Sequence, residues 1–354
     1  QKRGVAQLSD GAVCIFLEGF KSRDGRDMPF MIQKSDGGFN YDTTDLAALK
    51  YRVEVDKAER IIIVTDMGQS LHFQLLLKAA AKAGYVDPNQ VELDHVGFGL
   101  VLAESGKKFK TRSGDTEKLI DLLHAAIAHA AKVIAERNPD WPQEKQALLA
   151  RKLGIAAVKY ADLSSQRQKD YTFSYARMLC FEGNTAVFLL YSYVRMLGIQ
   201  RKVGRDVAKL DVSFLKLEHS SEIVLALHLL RFAEVLQLVA KELLPHLLCD
   251  YLYKLAEKFN AFFRDCKVQG STEEVSRSIL VEVTRSTLEK GLVLQLLIRC
   301  NIYRFNAAVF TVFFPPYGGV SLPFTFFGAA FGKFGNTAPT CCSCFLICCS
   351  KIVD

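Results

Sequence analysis

Residues 95–116 read HVGFGLVLAESGKKFKTRSGDT, and the chain changes character on either side of them. Upstream, short apolar runs alternate with helical patterns; downstream, helical patterns follow one another. In the middle of the stretch Lys107, Lys108, Lys110 and Arg112 crowd around Phe109, with Gly106 and Gly114 as flexible ends. Four cations on a Gly-bounded loop suit a polyanion such as a nucleoside triphosphate. The same residues would also serve as a solvated basic loop. Ser113 and Asp115 precede the apolar-periodic TEKLIDLLHAAI, so the loop is expected to end where a helix begins, with N-cap chemistry in place.

Working upstream, GAVCIFLEGF (11–20) and MPFMIQ (28–33) are apolar runs broken by a charged turn, which predicts a strand pair. Asp-Gly-Gly turn chemistry follows, and Thr43 or Thr44 is placed to cap the helix TDLAALKYRVEV. ERIIIVTD is a buried-type strand bounded by Gly68. QSLHFQLLLKAAAKAGY is a periodic helix closed by Gly84, and 91–102 return to strand. Alternating strands and helices imply a parallel α/β sheet, whose ligands sit beyond the carboxyl ends of the strands. Asp66 to Gln69 and the basic loop both fall on that rim.

Working downstream, Leu, Ala and Val recur at helical spacing and predict helices at 116–137, 144–161, 170–198, 204–216, 219–243, 245–267 and 272–298. That half reads as an α-helical bundle.

The chain has 354 residues, a 50% hydrophobic and 23% charged composition and a net charge of +7. These values fit two globular domains and exclude a disordered chain. Five cysteines are scattered singly, as in a reduced intracellular protein; the other five crowd into residues 341–349. Their spacing C-C-x-C-x3-C-C fits no zinc template, and no metal site is expected. Residues 305–332 carry no charge, the composition of a candidate membrane span. Pro315, Pro316 and Pro323 would break a spanning helix there, so no membrane span is expected.

Several residues carry candidate chemistry. Tyr41 and Asp45 lie four apart and share a face if their helix starts early enough; together they could grip a guanidinium, or serve as packing and a first-turn dipole partner. Gln69 and His72 open the next helix at a strand end, where N–H groups face an anion or ribose, or they form a plain capped helix start. Phe188, Tyr191 and Arg195 stand at i, i+3 and i+7, a spacing that also describes a core stripe.

KSDGGFNYDTTDLAAL, VTDMGQSLHFQ, HVGFGLVLAESGKKFKTRSGDT, KYADLSSQRQKDYTFS and EGNTAVFLLYSYVR resemble, block after block from about residue 10 to 298, the class I arginyl-tRNA synthetases. The resemblance implies the later half of a Rossmann-like catalytic domain (1–125), a helical connector (126–160) and an anticodon-binding bundle (161–300). The implied activity is ATP-dependent ligation of arginine to tRNA(Arg) through an adenylate, with Mg2+ accompanying ATP. Tyr41, Asp45 and Gln69 match the family's arginine-side-chain pocket. His72, His95 and Gly97 match positions near ATP. Lys107, Lys108 and Lys110 stand in the loop that would stabilise charge on the triphosphate. Phe188, Tyr191 and Arg195 match the anticodon helix, with Tyr191 stacking on a base. A monomer in the cytoplasm, or an organellar copy, is the expected setting.

Two departures qualify the resemblance. No His-x-Gly-His occurs in the chain; His95-Val96-Gly97-Phe98 comes near it but has Phe98 in the second His position. The chain opens on Gln1, and the first half of the family's catalytic domain is absent from it. Residues 301–354 match nothing in the family and read as a read-through or shifted frame. The fragment alone is therefore expected to be inactive, and a non-catalytic tRNA-binding module is the rival reading.

Overall fold

The computed structural model describes residues 4–22, 24–107, 118–204 and 212–295, together with the backbone of Val312–Phe313. The described residues divide into two compact units, one ending at Gly99 and the other starting at Leu100.

In the first unit, β1 (Gln7–Ser9), β2 (Ala12–Lys21) and β3 (Asp27–Gln33) form an antiparallel sheet in that order. Asp10 and Gly11 link β1 to β2 with φ of 48° and 78°, the backbone that a two-residue hairpin demands. The expected strand pair is thus present, extended by the short β1 and separate from the parallel sheet. That second sheet pairs β4 (Arg60–Asp66) with β5 (Glu92–Phe98), in unbroken parallel register from Arg60↔Glu92 to Asp66↔Phe98. The backbone of Val312–Phe313 pairs with the opposite edge of β4.

Ile61 to Val64 are four consecutive buried residues, so both faces of β4 must be covered. α1 (Tyr41–Glu54) supplies Leu46 and Leu49, and α2 (Ser70–Lys82) supplies Phe73, Leu75, Leu76, Ala79 and Ala80 to the same core. The cap of α1 differs from expectation. Asn40, in extended backbone, precedes the first helical residue, while the Thr43 hydroxyl donates to the carbonyl of Ile32. The early start puts Tyr41 and Asp45 on one helical face.

In the second unit, β6 (Val101–Leu102) pairs in parallel with β7 (Tyr171–Thr172). α3 (Leu119–Arg137) crosses α4 (Gln143–Ser164) so closely that a Cβ on Gly154 would lie 2.8 Å from the Ile127 backbone. The compact division falls ahead of the boundary expected at 125 because α3 shares a core with α4 and the segment around Phe173 and Met178. The expected cap of this helix at Ser113 or Asp115 lies outside the described residues.

The continuous helix predicted over 170–198 is not formed. β7, the one-turn α5 (Tyr175–Met178) and a turn through Gly183 precede α6 (Ala186–Val203), whose N-cap Thr185 accepts a hydrogen bond from the Phe188 N–H. Asp170 explains the break: its carboxylate accepts from the Leu100 N–H at 2.6 Å and ties this segment to the strand, not to a helix. The bundle continues with α7 (Ser220–Leu230), α8 (Phe232–Glu242), α9 (His246–Asp265) and α10 (Glu274–Leu294). α9 carries Leu248, Leu252, Leu255, Phe259 and Phe262, all fully buried, through the centre of the core.

Arg231 separates α7 from α8 where one helix was expected. The stretch Ser220–Glu242 is long and apolar enough, by length and composition, to cross a membrane. Ile223, Val224, Leu227 and Leu230 form an exposed apolar row along α7. Cys14, Cys249 and Cys266 are buried free thiols and Cys180 is an exposed one. The cysteine-rich tail and residues 305–332, apart from the backbone already named, lie outside the described residues.

Candidate functional site

The start of α1 and the start of α2 meet around one imidazole. His72 Nε2–H donates to Asp45 Oδ2 at 2.7 Å, and Nδ1 lies 3.0 Å from Asp42 Oδ1. The side chains of His72, Asp42 and Asp45 are 14, 13 and 18% exposed, so the three form a half-enclosed charged cluster. Burial alone would depress the His72 pKa, but the two carboxylates outweigh it and push the imidazole up to about 9. Asp42 was not singled out from the sequence. Its spacing of three from Asp45 was the available signal, since i and i+3 share a helix face.

Tyr41 covers this cluster from outside: its ring meets the His72 ring edge-on at 5.0 Å, and the residue is 65% exposed. Phe30 of β3 lies on the other side of His72, with ring centroids 6.3 Å apart. Gln69 is half-buried at the N-cap of α2, on the turn that leaves the carboxyl end of β4. The Asp66 carboxylate closes that turn by accepting from the Gly68 N–H at 2.7 Å.

A row of rings links this cluster to the end of β5. His72 meets Phe73 at 4.8 Å, and Phe73 stacks on His95 at 4.8 Å. His95 Nε2 is 2.7 Å from the Thr65 hydroxyl of β4. Gly97 stands opposite Thr65 in the register, where a Cβ would come within 2.1 Å of the Met67 sulfur. His95 and Gly97 therefore sit beside the β4 turn, as their place on the strand ends implies. Lys107 is exposed, and its carbonyl accepts from the Ala103 N–H at 2.8 Å. Lys108 and Lys110 lie outside the described residues.

The second unit carries a separate candidate surface. The Arg195 guanidinium donates to Asn260 Oδ1 at 2.7 Å and to the Tyr191 hydroxyl at 3.1 Å. It lies 4.8 Å from the Tyr191 ring centre and 5.3 Å from that of Phe263. Tyr191 also faces Phe181, which carries the Arg137 guanidinium over its ring at 3.8 Å. Cation and ring alternate along this surface, a pattern suited to stacked bases and phosphates. Tyr191 is 48% exposed, whereas Phe188 packs against the bundle core and Tyr253. Asn260, Phe263 and Arg137 could not be found from the sequence, because they come from other helices.

A strand-end site on an α/β unit, followed by a helical bundle with an aromatic and cationic face, is matched by two family models. Residues 1–175 match "tRNA synthetases class I (R), catalytic domain", and residues 189–297 match "DALR anticodon binding domain". The class defined is that of the class I aminoacyl-tRNA synthetases. Among curated proteins, the chain is 57% identical over 293 residues to an arginine–tRNA ligase of Protochlamydia amoebophila, covering 82% of this chain and 50% of that one. An arginine–tRNA ligase of Nostoc punctiforme is 48% identical over 298 residues, covering 82% and 51%. Among solved structures, arginyl-tRNA synthetase from Plasmodium falciparum aligns with a TM-score of 0.73 at 33% identity, over 84% of this chain and 50% of that one. The chain belongs to the arginyl-tRNA synthetase family, and it spans about half the length of the curated relatives it matches.

Proposed function

We propose that this chain supplies the arginine-side-chain pocket and the anticodon surface of an arginine–tRNA ligase. That enzyme activates arginine with ATP to an adenylate and transfers it to tRNA(Arg). The observation that carries the reading is the Asp42–Asp45–His72 cluster under Tyr41, next to the strand-end turn bearing Gln69. A carboxylate held by a neighbour and capped by a phenol suits a planar guanidinium better than a point-charge ammonium.

In this reading His95 and Gly97 lie near ATP, and Lys107, Lys108 and Lys110 belong to a loop that binds triphosphate. Tyr191 and Arg195 take the anticodon loop, and Phe188 supports their helix from behind. In this reading Mg2+ accompanies the triphosphate of ATP. The protein works as a cytoplasmic monomer in this reading.

The test is binding by the purified chain. L-Arginine, observed by titration NMR, should bind more tightly than the neutral isostere L-citrulline, and Asp45→Asn should remove the preference. tRNA(Arg) should bind, and Tyr191→Ala should weaken it by at least about fivefold, the scale of one lost stacking contact. Equal affinity for arginine and citrulline would refute the pocket; retained tRNA binding in that case would leave the chain as a tRNA-binding module.

A further inference from the structure

We propose that His72 is a positioning residue for guanidinium recognition. As an imidazolium bridging Asp42 and Asp45, it fixes the recognition carboxylate and sets the charge of the pocket to a single negative unit. The inference rests on the proposed reading of Asp45 as the arginine countercharge.

The geometry leads there in three steps. Both ring nitrogens face carboxylate oxygens, at 2.7 and 3.0 Å, and a neutral imidazole could donate to only one of them. Second, two carboxylates on one helix turn, both largely enclosed, repel one another unless a cation lies between them. His72 is that cation. Third, the bridge uses Asp45 Oδ2 and Asp42 Oδ1, while Asp42 Oδ2 accepts from the Asn40 side-chain amide at 3.1 Å. The bridge thus takes one oxygen of Asp45, and in the proposed reading the other accepts from the guanidinium.

Every group facing the imidazole enters this count. α1 contributes Tyr41, Asp42 and Asp45; β3 contributes the uncharged Phe30; α2 contributes Phe73. Arg52, buried two turns further along α1, interacts electrostatically with both Asp45 and Asp56, and the Arg52 and Asp56 charges cancel in the sum. Two carboxylates and one imidazolium leave one unit of negative charge, which one guanidinium neutralises. Without His72 the pair would either hold a shared proton or turn apart, and in both cases the oxygen meant for the ligand is misplaced. Specificity then follows from the bridge: a neutral isostere leaves a buried charge uncompensated.

The experiment uses the full chain with 13C,15N-labelled histidine. In the wild type both His72 ring nitrogens should be protonated at pH 7.5, and the ring signals should shift on adding L-arginine but not L-citrulline. His72→Gln should weaken L-arginine binding at least about tenfold, the scale of one charge-assisted hydrogen bond. Asp42→Asn should weaken it as well, and the double variant should be no worse than the worse single one, since both break the same bridge. A purely packing role would leave the ring signals blind to the ligand and the two effects additive. A neutral His72 ring at pH 7.5, or His72→Gln binding L-arginine as the wild type does while Asp45→Asn does not, would overturn the inference and leave the pocket standing. Asp45→Asn binding L-arginine unchanged would instead overturn the pocket, and the inference with it. Should His72→Gln fail to fold, the wild-type ring signals with and without L-arginine decide the matter.

Discussion

The fold holds the His72 imidazole in its protonated form. Its pKa is raised to about 9 from an unfolded value near 6.5, so it contributes stability rather than losing it on burial. The sign follows from linkage: the contribution is complete below about pH 6.5 and disappears as the pH rises through about 9. Urea unfolding of the wild type and His72→Gln should therefore differ most at pH 6 and converge by pH 10. A gap that stayed constant over that range would mean that packing against Phe30 and Phe73, not charge, carries the difference. Spacing and the family resemblance single out Tyr41, Asp45 and Gln69 together, but they put His72 near ATP and give no sign of its contact with Asp45. What spacing could not supply was the start of α1 at Tyr41, fixed by the backbone at Asn40. Asp42 stayed hidden for that reason.

At the scale of elements, the crossing of α3 and α4 is the most constrained joint. Gly154 meets Ile127 and Ala126 through backbone atoms, which cannot swing aside as a side chain can. Gly154→Ala should gain a little helix propensity and lose about 1–3 kcal/mol to forced separation, with loss prevailing in chemical denaturation. Gly97→Ala should cost less, because the atom it would strike, the Met67 sulfur, belongs to an exposed and flexible side chain. The sequence showed the long helices well, since a 3.6-residue apolar period survives wherever a helix lies against one core. It failed over 170–198, where Tyr171 to Thr185 keep enough apolar residues to mimic that period. Those residues are spent on β7, on α5 and on the Thr185 cap. The pairing partner of β7 lies some seventy residues away, at Val101 and Leu102, and no local pattern reports it.

At the scale of the whole molecule, the bundle is joined by polar contacts set between its apolar layers. Tyr160 donates to the Cys249 carbonyl, while Asn184 reaches Asp250, so α4 and the α6 entry are fixed to α9. Arg285 sits between Glu282 and Glu289, and Tyr193 of α6 donates to Glu289 at 3.0 Å. A further joint is Glu222, 2% exposed, paired with Arg277 of α10 at 2.7 Å. Burial would raise the Glu222 pKa, but Arg277 and the N–H groups of His219 and Glu218 together hold it below the usual range. Its contribution is accordingly present above the unfolded carboxyl value and lost as pH falls through the folded one. Glu222→Gln should leave Arg277 with Glu273 alone, at 3.2 Å, and cost about 1–3 kcal/mol, seen as a lower melting temperature at pH 7 with a gap that narrows in acid. The Arg285 pairs with Glu282 and Glu289 are local to α10; the other contacts each close across more than fifty residues, and no local pattern in the sequence reports them.

The apolar row on α7 has a consequence for the bottle as much as for the fold. Ile223, Val224, Leu227 and Leu230 meet water directly, so the solvent's cohesion acts on them as it does on the interior. Salts excluded from protein surfaces, sulfate foremost, tighten the buried core and at the same time favour covering this row with whatever is nearest. The additive that best protects the molecule against heat is therefore the one that brings it closest to precipitation.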